Sequence, residues 1–223
     1  VLDALANDGD SVVRRAVAEN GNTFAKTLAK LANDIDEDVR IAVGENKNTK
    51  EETLAMLAKD EKGWIREAAA SNPNTSVEIL ELLAEDTDKL VRGAVARNKN
   101  APEKVFFKLA KDDEWRVRYA VAWNENTPAE ILTVLAQDKE TNIRYAVAKN
   151  LNTPYNTLVM LSKDKKLMVR RAANTVLAES KVKSDTSAEI LAALAKDTDP
   201  RIRESVARNE NTPVEVLDFL AKD

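Results

Sequence analysis

The sequence predicts an all-α protein, a solenoid of about eight repeats of 26 residues with two helices in each repeat. One observation is an arginine, preceded by valine or isoleucine, that returns every 26 residues except for one interval of 33. The other is an aspartate six residues before each of these arginines. A fixed period of this length is typical of solenoids, in which each repeat buries its apolar face against its neighbours. We therefore expect a single repeat-array domain over residues 1–223. The periodic arginines are Arg14, Arg40, Arg66, Arg92, Arg118, Arg144, Arg170 and Arg203.

The repeats at both ends of the sequence are incomplete. Leu2 and Leu5 have the spacing of the leucines in later repeats, but the turn that should precede them is missing. Leu217 and Leu220 close the sequence in the same way. The ends of a solenoid normally carry capping repeats with a polar outer face, which these leucines do not provide. We therefore expect either an excerpt from a longer array or ends that a partner covers.

The first helix of each repeat carries the periodic arginine. Around Arg144, the residues Ile143, Ala146 and Val147 follow the helical spacing i, i+3 and i+4, which predicts an apolar stripe. Aspartates four residues before the arginine are predicted to cap these helices at Asp10, Asp36, Asp88 and Asp199. An asparagine is expected to end each helix, because asparagine tolerates the left-handed backbone conformation. These asparagines are Asn20, Asn46, Asn72, Asn98, Asn124, Asn150 and Asn209.

The second helix is predicted to begin at a threonine. Thr127 is expected to be the N-cap, Pro128 to lie in the first turn, and Glu130 to complete a capping box with Thr127. The same Thr-x-x-Glu spacing occurs at Thr49/Glu52, Thr75/Glu78, Thr186/Glu189 and Thr212/Glu215. Leucines three residues apart should then face the core, at Leu28/Leu31, Leu54/Leu57, Leu80/Leu83, Leu132/Leu135, Leu158/Leu161 and Leu191/Leu194. The phenylalanines of this helix are expected mostly in the core as well: Phe24, Phe106, Phe107 and Phe219.

One repeat is longer than the others. Its seven extra residues lie between Thr175 and Thr186, and Val176 stands where asparagine is expected. Seven residues make about two turns of helix, so a helix can lengthen by this amount without rotating its buried face. The favoured interpretation is a tolerated length variant. The alternative is a wall that protrudes beside a binding surface.

The pattern VRxAVAxNxNTPxxxLxxLAxD resembles the leucine-rich repeat variant (LRV) family, and the resemblance extends over essentially the whole chain. It implies a right-handed superhelix without a sheet, in which the second helix of each repeat is short or of the 3₁₀ type. The stacking logic is also similar to that of HEAT repeats. The resemblance implies a scaffold-like binding role and no catalytic residues.

The composition leaves little room for an active site. The sequence has no histidine and no cysteine, which excludes the usual nucleophile–base pairs and thiolate or imidazole zinc sites. None of its five glycines forms a phosphate-binding loop. We predict no catalytic residue, no cofactor and no metal site, and we expect the periodic aspartates to accept hydrogen bonds from the turn backbone or from the arginines of the same ladder. The acidic cluster at residues 34–38 is expected to be a solvated turn. No signal peptide and no membrane-spanning run is visible, so a cytoplasmic location without a membrane partner is expected.

A candidate binding surface lies on the first helices. Three positions of each, two before, one after and five after the arginine, are predicted to face away from the core and to line a concave groove. Acidic residues dominate these positions in the first three helices, and basic residues dominate in the other five. Tyr119 and Tyr145 occupy equivalent positions of adjacent helices, and Trp123 lies one turn beyond Tyr119. The predicted partner-binding residues are Tyr119, Trp123, Tyr145, Arg97, Arg116, Lys149, Trp64 and Arg171.

Exposed Tyr, Trp and Arg side chains together are typical of binding hot spots. The alternative is that the rings fill gaps in the packing. We predict a non-enzymatic scaffold that binds a protein or a peptide. A second hypothesis is nucleic-acid binding through the basic and aromatic half of the groove, although the net charge of −4 opposes it. A third is a HEAT-like enzyme of the chromophore-lyase or DNA-glycosylase type, for which the sequence holds no motif.

Overall fold

The computed structural model describes residues 1–179 and 185–222, in which every regular element is a helix. The first helices of the repeats are α2 (Ser11–Glu19), α4 (Glu37–Glu45), α6 (Gly63–Ser71), α8 (Lys89–Arg97), α10 (Trp115–Trp123), α12 (Thr141–Lys149), α14 (Leu167–Glu179) and α16 (Pro200–Arg208). The second helices are α1 (Leu2–Leu5), α3 (Ala25–Leu31), α5 (Glu51–Leu57), α7 (Val77–Leu83), α9 (Glu103–Leu109), α11 (Ala129–Leu135), α13 (Tyr155–Leu161), α15 (Asp185–Leu194) and α17 (Val214–Leu220). No helix among these residues is long and apolar enough to cross a bilayer.

The helices form two compact units, Val1–Thr127 and Pro128–Asp223. In the first unit, α2, α4, α6, α8 and α10 pack side by side in chain order, and the short helices lie against them. In the second unit, α12, α14 and α16 pack in the same manner. The predicted all-α architecture of two-helix repeats is confirmed, and the second helices are short α-helices. The single repeat-array domain over residues 1–223 stays a prediction.

The core consists of one apolar stripe from each helix. Ile143, Ala146 and Val147 of α12 are fully buried, as the helical spacing predicted. Every predicted leucine pair is buried too: Leu28/Leu31, Leu54/Leu57, Leu80/Leu83, Leu132/Leu135, Leu158/Leu161 and Leu191/Leu194. Burying one such side chain stabilises the fold by roughly 1.5–3 kcal/mol, so these stripes supply most of the driving force for repeat stacking.

The prediction that the phenylalanines lie mostly in the core is wrong. Phe106 is 1% exposed and replaces a core leucine, whereas Phe24 is 78% exposed. Phe24 precedes α3 as its N-cap residue, so its side chain is outside the helical stripe. Phe107 and Phe219 are also exposed, because they lie beside the buried stripes of α9 and α17 and not within them.

The predicted aspartate caps of the first helices are confirmed. Asp10 accepts a hydrogen bond from the backbone N–H of Val12 at 2.9 Å, and Asp88 accepts one from Leu90 at 2.9 Å. Asp36 and Asp199 cap α4 and α16 in the same way. Each carboxylate satisfies a backbone N–H that has no partner within its own helix.

The periodic arginines and aspartates form an internal ladder between successive repeats. Arg14 donates from Nε and Nη2 to the carboxylate of Asp34 at 2.6 and 2.8 Å, and from Nη1 to the carbonyl of Asp8 at 2.9 Å. A planar guanidinium suits this fork-like arrangement, which lysine could not reproduce. Equivalent ion pairs are Arg40–Asp60, Arg66–Asp86, Arg92–Asp112 and Arg144–Asp164. The predicted ladder is therefore confirmed.

The asparagines that end the first helices are not in the left-handed conformation, so that prediction is wrong. Asn98 has the extended values φ −68° and ψ 129°. Its Nδ2 donates to the carbonyls of Ala70 and Asn72 at 2.7 and 3.0 Å, and its Oδ1 accepts from the N–H of Asn100 at 2.9 Å. Asparagine occurs at this position because one amide both closes the local turn and bonds the preceding repeat. Asn46, Asn72 and Asn124 make equivalent bonds.

The threonines do not cap the second helices, so the predicted capping boxes are wrong. The N-cap of α11 is Pro128, and no side chain caps this helix. Thr127 instead donates its hydroxyl to the carbonyl of Val121 at 2.6 Å, which closes the turn that follows α10. Thr49, Thr75 and Thr212 make the same bond, and Thr186 lies inside α15.

The long repeat extends its first helix. The helix α14 has 13 residues, against nine in α12, and Val176 is helical where the other repeats end at asparagine. Part of the predicted lengthening is therefore visible. The rest of the insertion, residues 180–184, lies outside the described residues, and both interpretations of it stay predictions.

Candidate functional site

The face of the first helices that the sequence singled out is accessible to solvent. The residues two before each arginine are all exposed: Val12, Asp38, Trp64, Leu90, Arg116, Asn142, Met168 and Arg201. Those five after it are exposed or half-buried: Glu19, Glu45, Ser71, Arg97, Trp123, Lys149, Thr175 and Arg208. The residue one after the arginine is more enclosed and ranges from exposed Arg15 to buried Gly93. We call these three positions the exposed face.

Three aromatic rings follow one another along α10. Tyr119 contacts Trp115 edge to face, with ring centroids 6.3 Å apart, and contacts Trp123 in the same manner at 6.2 Å. The spacing i, i+4 places these side chains one turn apart on the same side of the helix. Each such ring pair contributes about 0.5–1.5 kcal/mol beyond its burial, so the rings hold one another in position. We call Trp115, Tyr119 and Trp123 the α10 aromatic cluster.

Trp115 was missed by the sequence analysis. It lies three residues before Arg118, one residue outside the positions used to define the exposed face. The signal that would have found it is its i, i+4 spacing to Tyr119. The guanidinium carbon of Arg116 lies 4.6 Å from the centroid of the Trp115 ring, so Trp115 contacts both the Arg116 cation and the Tyr119 ring.

Arg97 and Arg116 of the exposed face make only loose ion pairs. Arg97 Nη2 lies 3.6 Å from a carboxylate oxygen of Glu67, and Arg116 Nη1 lies 3.4 Å from one of Glu114. Both arginine side chains are more than half exposed, and exposed pairs of this kind contribute little to stability. A partner carboxylate could exchange with either pair at small cost. These two arginines therefore differ from the buried arginines of the ladder.

Exposed apolar groups lie on the neighbouring helices of the first unit. Trp64 on α6 is 49% exposed, Leu90 on α8 is 53% exposed, and Trp123 on α10 is 45% exposed. The Lys62 ammonium lies 5.8 Å from the Trp64 ring. No ring contact joins Trp64 to the α10 aromatic cluster among the residues that the structure describes. In the first unit, Arg97 therefore lies on α8, and Arg116 lies with the α10 aromatic cluster on the adjacent helix α10.

The second unit holds the other three predicted residues. Tyr145 is half-buried and Lys149 is exposed, both on α12. Arg171 on α14 donates to the carboxylate of Asp199, which caps α16. This hydrogen bond from Arg171 lowers the pKa of Asp199, against the raising effect of burial. Arg171 therefore links two helices, and its role in binding stays a prediction.

The described residues hold no group of three or more acidic side chains arranged to bind a metal ion. The periodic carboxylates are already engaged. Hydrogen bonds from Arg14 hold the pKa of Asp34 below its usual value, although burial acts in the opposite direction. A carboxylate that is ionised and bound in this way is unsuited to act as a general acid or base near neutral pH.

Comparison with known proteins agrees with the repeat pattern. Residues 63–88 match the model of the leucine rich repeat variant family. A solved structure described as a leucine-rich repeat variant with a novel repetitive structural motif is 28% identical, with a TM-score of 0.66, and the match covers 93% of this chain and 80% of that chain. An engineered protein matches with a TM-score of 0.50 at 16% identity, over 99% of this chain and 80% of its own, and shows the fold alone. No curated protein matches significantly. The chain is therefore an α-helical repeat protein that resembles the leucine-rich repeat variant family, as the sequence predicted.

Proposed function

We propose that the chain is a non-enzymatic scaffold that binds a protein or a peptide on the exposed face of its first helices. The observation that carries this proposal is the α10 aromatic cluster, in which Trp123 is exposed beside the loosely paired Arg97 and Arg116. The chemistry of these groups suits a partner segment that combines aromatic and acidic side chains.

Two physical arguments support a binding role over a packing role for these rings. Exposed Tyr, Trp and Arg side chains are enriched where a few residues supply most of the binding free energy. Trp64 and Leu90 extend the apolar surface onto α6 and α8, and clustered exposed apolar groups typically mark interaction sites. Rings that only filled gaps in the packing would be buried more completely.

The proposal that the chain is not an enzyme rests on its chemistry. It has no histidine and no cysteine. The aspartates that recur along the chain are bound by ladder arginines, as Asp86 and Asp112 are by Arg66 and Arg92. No described group combines an activated nucleophile with a base, which the usual modes of covalent catalysis require.

The test replaces Trp123 by alanine and uses Phe24→Ala as its matched control, because Phe24 is an exposed aromatic residue outside the exposed face. Random peptides displayed on phage are selected on the immobilised chain. The dissociation constants of the enriched peptides are then measured by fluorescence anisotropy. We expect Trp123→Ala to weaken binding by about 2 kcal/mol or more, as for a hot spot, and Phe24→Ala to leave it unchanged. Failure to enrich any peptide, or equal affinity for the two variants, contradicts the proposal.

A second candidate function is binding of single-stranded nucleic acid. The stacking of Arg116 on Trp115 beside the exposed Trp123 favours it, because bases stack on aromatic rings while cations follow the backbone. A labelled single-stranded oligonucleotide tests it directly. Binding that falls log-linearly with salt and that Trp123→Ala abolishes would support this function. Absence of binding at low salt would exclude it.

A further inference from the structure

Gly93 is a glycine that the fold does not require. It lies in the middle of α8, where glycine lowers helix stability relative to alanine, and no glycine of the described chain has a positive φ. A Cβ atom added at Gly93 would approach only Nη1 of Arg97, at 3.4 Å. At Gly44 of α4, by contrast, an added Cβ would lie 2.9 Å from the Cβ of Ala68. Helix packing therefore opposes a side chain at position 44, whereas a Cβ at position 93 would meet only the end of the flexible Arg97 side chain.

The space over Gly93 is bounded on its own helix by Leu90 and Arg97, which are three residues before and four residues after it. Leu90 is one of the exposed apolar residues of the face. The guanidinium of Arg97 lies over the glycine and reaches towards Glu67 of α6. Without a partner, the exposed Arg97 side chain therefore covers Gly93.

The repeat geometry identifies the residues of α10 that border the same space. Two ion pairs show which residues of adjacent first helices meet: Arg15–Asp38, 23 residues apart at 3.9 Å, and Glu67–Arg97, 30 residues apart at 3.6 Å. The same offsets from Gly93 lead to Arg116 and Trp123. This register places Arg116, and Trp123 of the α10 aromatic cluster, opposite Gly93 on the adjacent helix. We call the space over Gly93, bounded by Leu90, Arg97, Arg116 and Trp123, the Gly93 recess.

We infer that the Gly93 recess receives one aromatic side chain of an acidic peptide segment in a protein partner, an inference that rests on the proposed function. Leu90 and Trp123 offer apolar walls, and guanidinium groups stack on aromatic rings. The ring takes the place of the Arg97 guanidinium over Gly93. Arg97 then leaves Glu67 and binds a carboxylate of the same peptide, while Arg116 binds another. Both arginines favour an acidic segment over a basic one.

Filling the recess tests the inference, and the thermal midpoint of each variant checks that the fold is kept. Gly93→Leu puts a side chain where the partner's ring should lie, and Gly93→Ala puts a single methyl group there. Both changes raise helix propensity, so we expect a higher thermal midpoint for each variant. We expect Gly93→Leu to weaken peptide binding about 30-fold, the loss of a hot-spot contact, and Gly93→Ala to weaken it less. Ala29→Leu is the matched control, since it adds leucine to an exposed position of α3, outside the exposed face, and should change affinity by no more than about twofold.

The probes are peptides selected from a random displayed library on the wild-type chain. We expect the enriched peptides to share an aromatic residue with acidic neighbours, and we expect alanine in place of that residue to remove the effect of Gly93→Leu. Peptides that lack an aromatic residue, or equal affinity for wild type and Gly93→Leu, would overturn the inference. If Trp123→Ala weakens binding while Gly93→Leu does not, the proposed function stands and only the recess is wrong. If neither change weakens binding, both fail.

Discussion

The asparagine ladder makes a quantitative prediction about how successive repeats are held together. Asn98 is buried, and Asn98→Ala removes three hydrogen bonds at once: two from Nδ2 to the carbonyls of Ala70 and Asn72, and one from the N–H of Asn100 to Oδ1. The alanine side chain can replace none of them. The change therefore breaks a turn and a contact between repeats together.

The expected loss in the free energy of unfolding depends on which of these polar groups keep a hydrogen-bond partner. The carbonyl of Asn72 retains the N–H of Thr75 at 3.2 Å, so it is still satisfied in part. The carbonyl of Ala70 belongs to a fully buried residue, and the N–H of Asn100 loses its acceptor. A buried carbonyl left without a partner costs about 1–3 kcal/mol, and the bond lost by the exposed Asn100 adds about 1 kcal/mol, so we expect Asn98→Ala to lower the free energy of unfolding by about 2–4 kcal/mol.

The assay is urea unfolding followed by circular dichroism, with midpoint and slope compared between variants. Asn100→Ala is the matched control, because Asn100 is exposed and its Nδ2 donates to the carbonyl of Pro73 at 2.7 Å across the same pair of repeats. Loss of this exposed bond should cost no more than about 1 kcal/mol. Similar losses for the two variants, or a loss below about 1 kcal/mol for Asn98→Ala, would refute the reasoning.

Three further predictions concern the pairing and packing of single residues. Hydrogen bonds from Arg14 depress the pKa of Asp34 in the folded chain, so the stabilising contribution of Asp34 is full above the unfolded pKa of about 3.9 and is lost as pH falls through the lower folded value. The urea midpoint should fall in that pH window. An equally steep fall in Asp34→Asn would show that the pH dependence does not come from Asp34. Gly44→Ala should destabilise by about 1–3 kcal/mol, because the new Cβ would lie 2.9 Å from that of Ala68; an unchanged thermal midpoint would show that α4 and α6 separate easily. Asn174 is fully buried, neither of its amide atoms is hydrogen-bonded to another described residue, and the equivalent position of α12 is a buried alanine. We therefore expect Asn174→Ala to stabilise the fold by about 1 kcal/mol in urea unfolding, and a loss of stability would contradict this reasoning.

The parts of the fold that depend on local rules could be read from the sequence. The inward leucines follow from helical spacing alone, and the aspartate caps follow from the chemistry of a helix N-terminus. The roles of Asn98 and Thr127 could not be read in this way. Both side chains bond carbonyl groups whose positions are set by the folded turn or by the preceding repeat. Asparagine and threonine commonly end or cap helices through local contacts, but here both side chains bond carbonyl groups that the tertiary structure brings close.

In the candidate site, too, some features follow from local sequence rules and others depend on the tertiary structure. The exposure of Trp123 and Arg97 follows from their positions on the helix, and the structure agrees. The space at Gly93 could not be predicted, because a glycine in a helix is equally compatible with a close approach of two helices. Only the folded structure distinguishes Gly93 from Gly44, where such an approach occurs.

The ladders that join successive repeats also affect how quickly the chain can fold. Arg92 reaches Asp112 across 20 residues, and Asn98 reaches back 28 residues to Ala70. Because such separations are set by the period, they do not lengthen as repeats are added, and the entropy lost in closing each contact stays that of a short loop. Contacts of short range favour rapid folding, and folding can start at any adjacent pair of repeats and spread in both directions. The time needed to fold is thereby largely uncoupled from the length of the array.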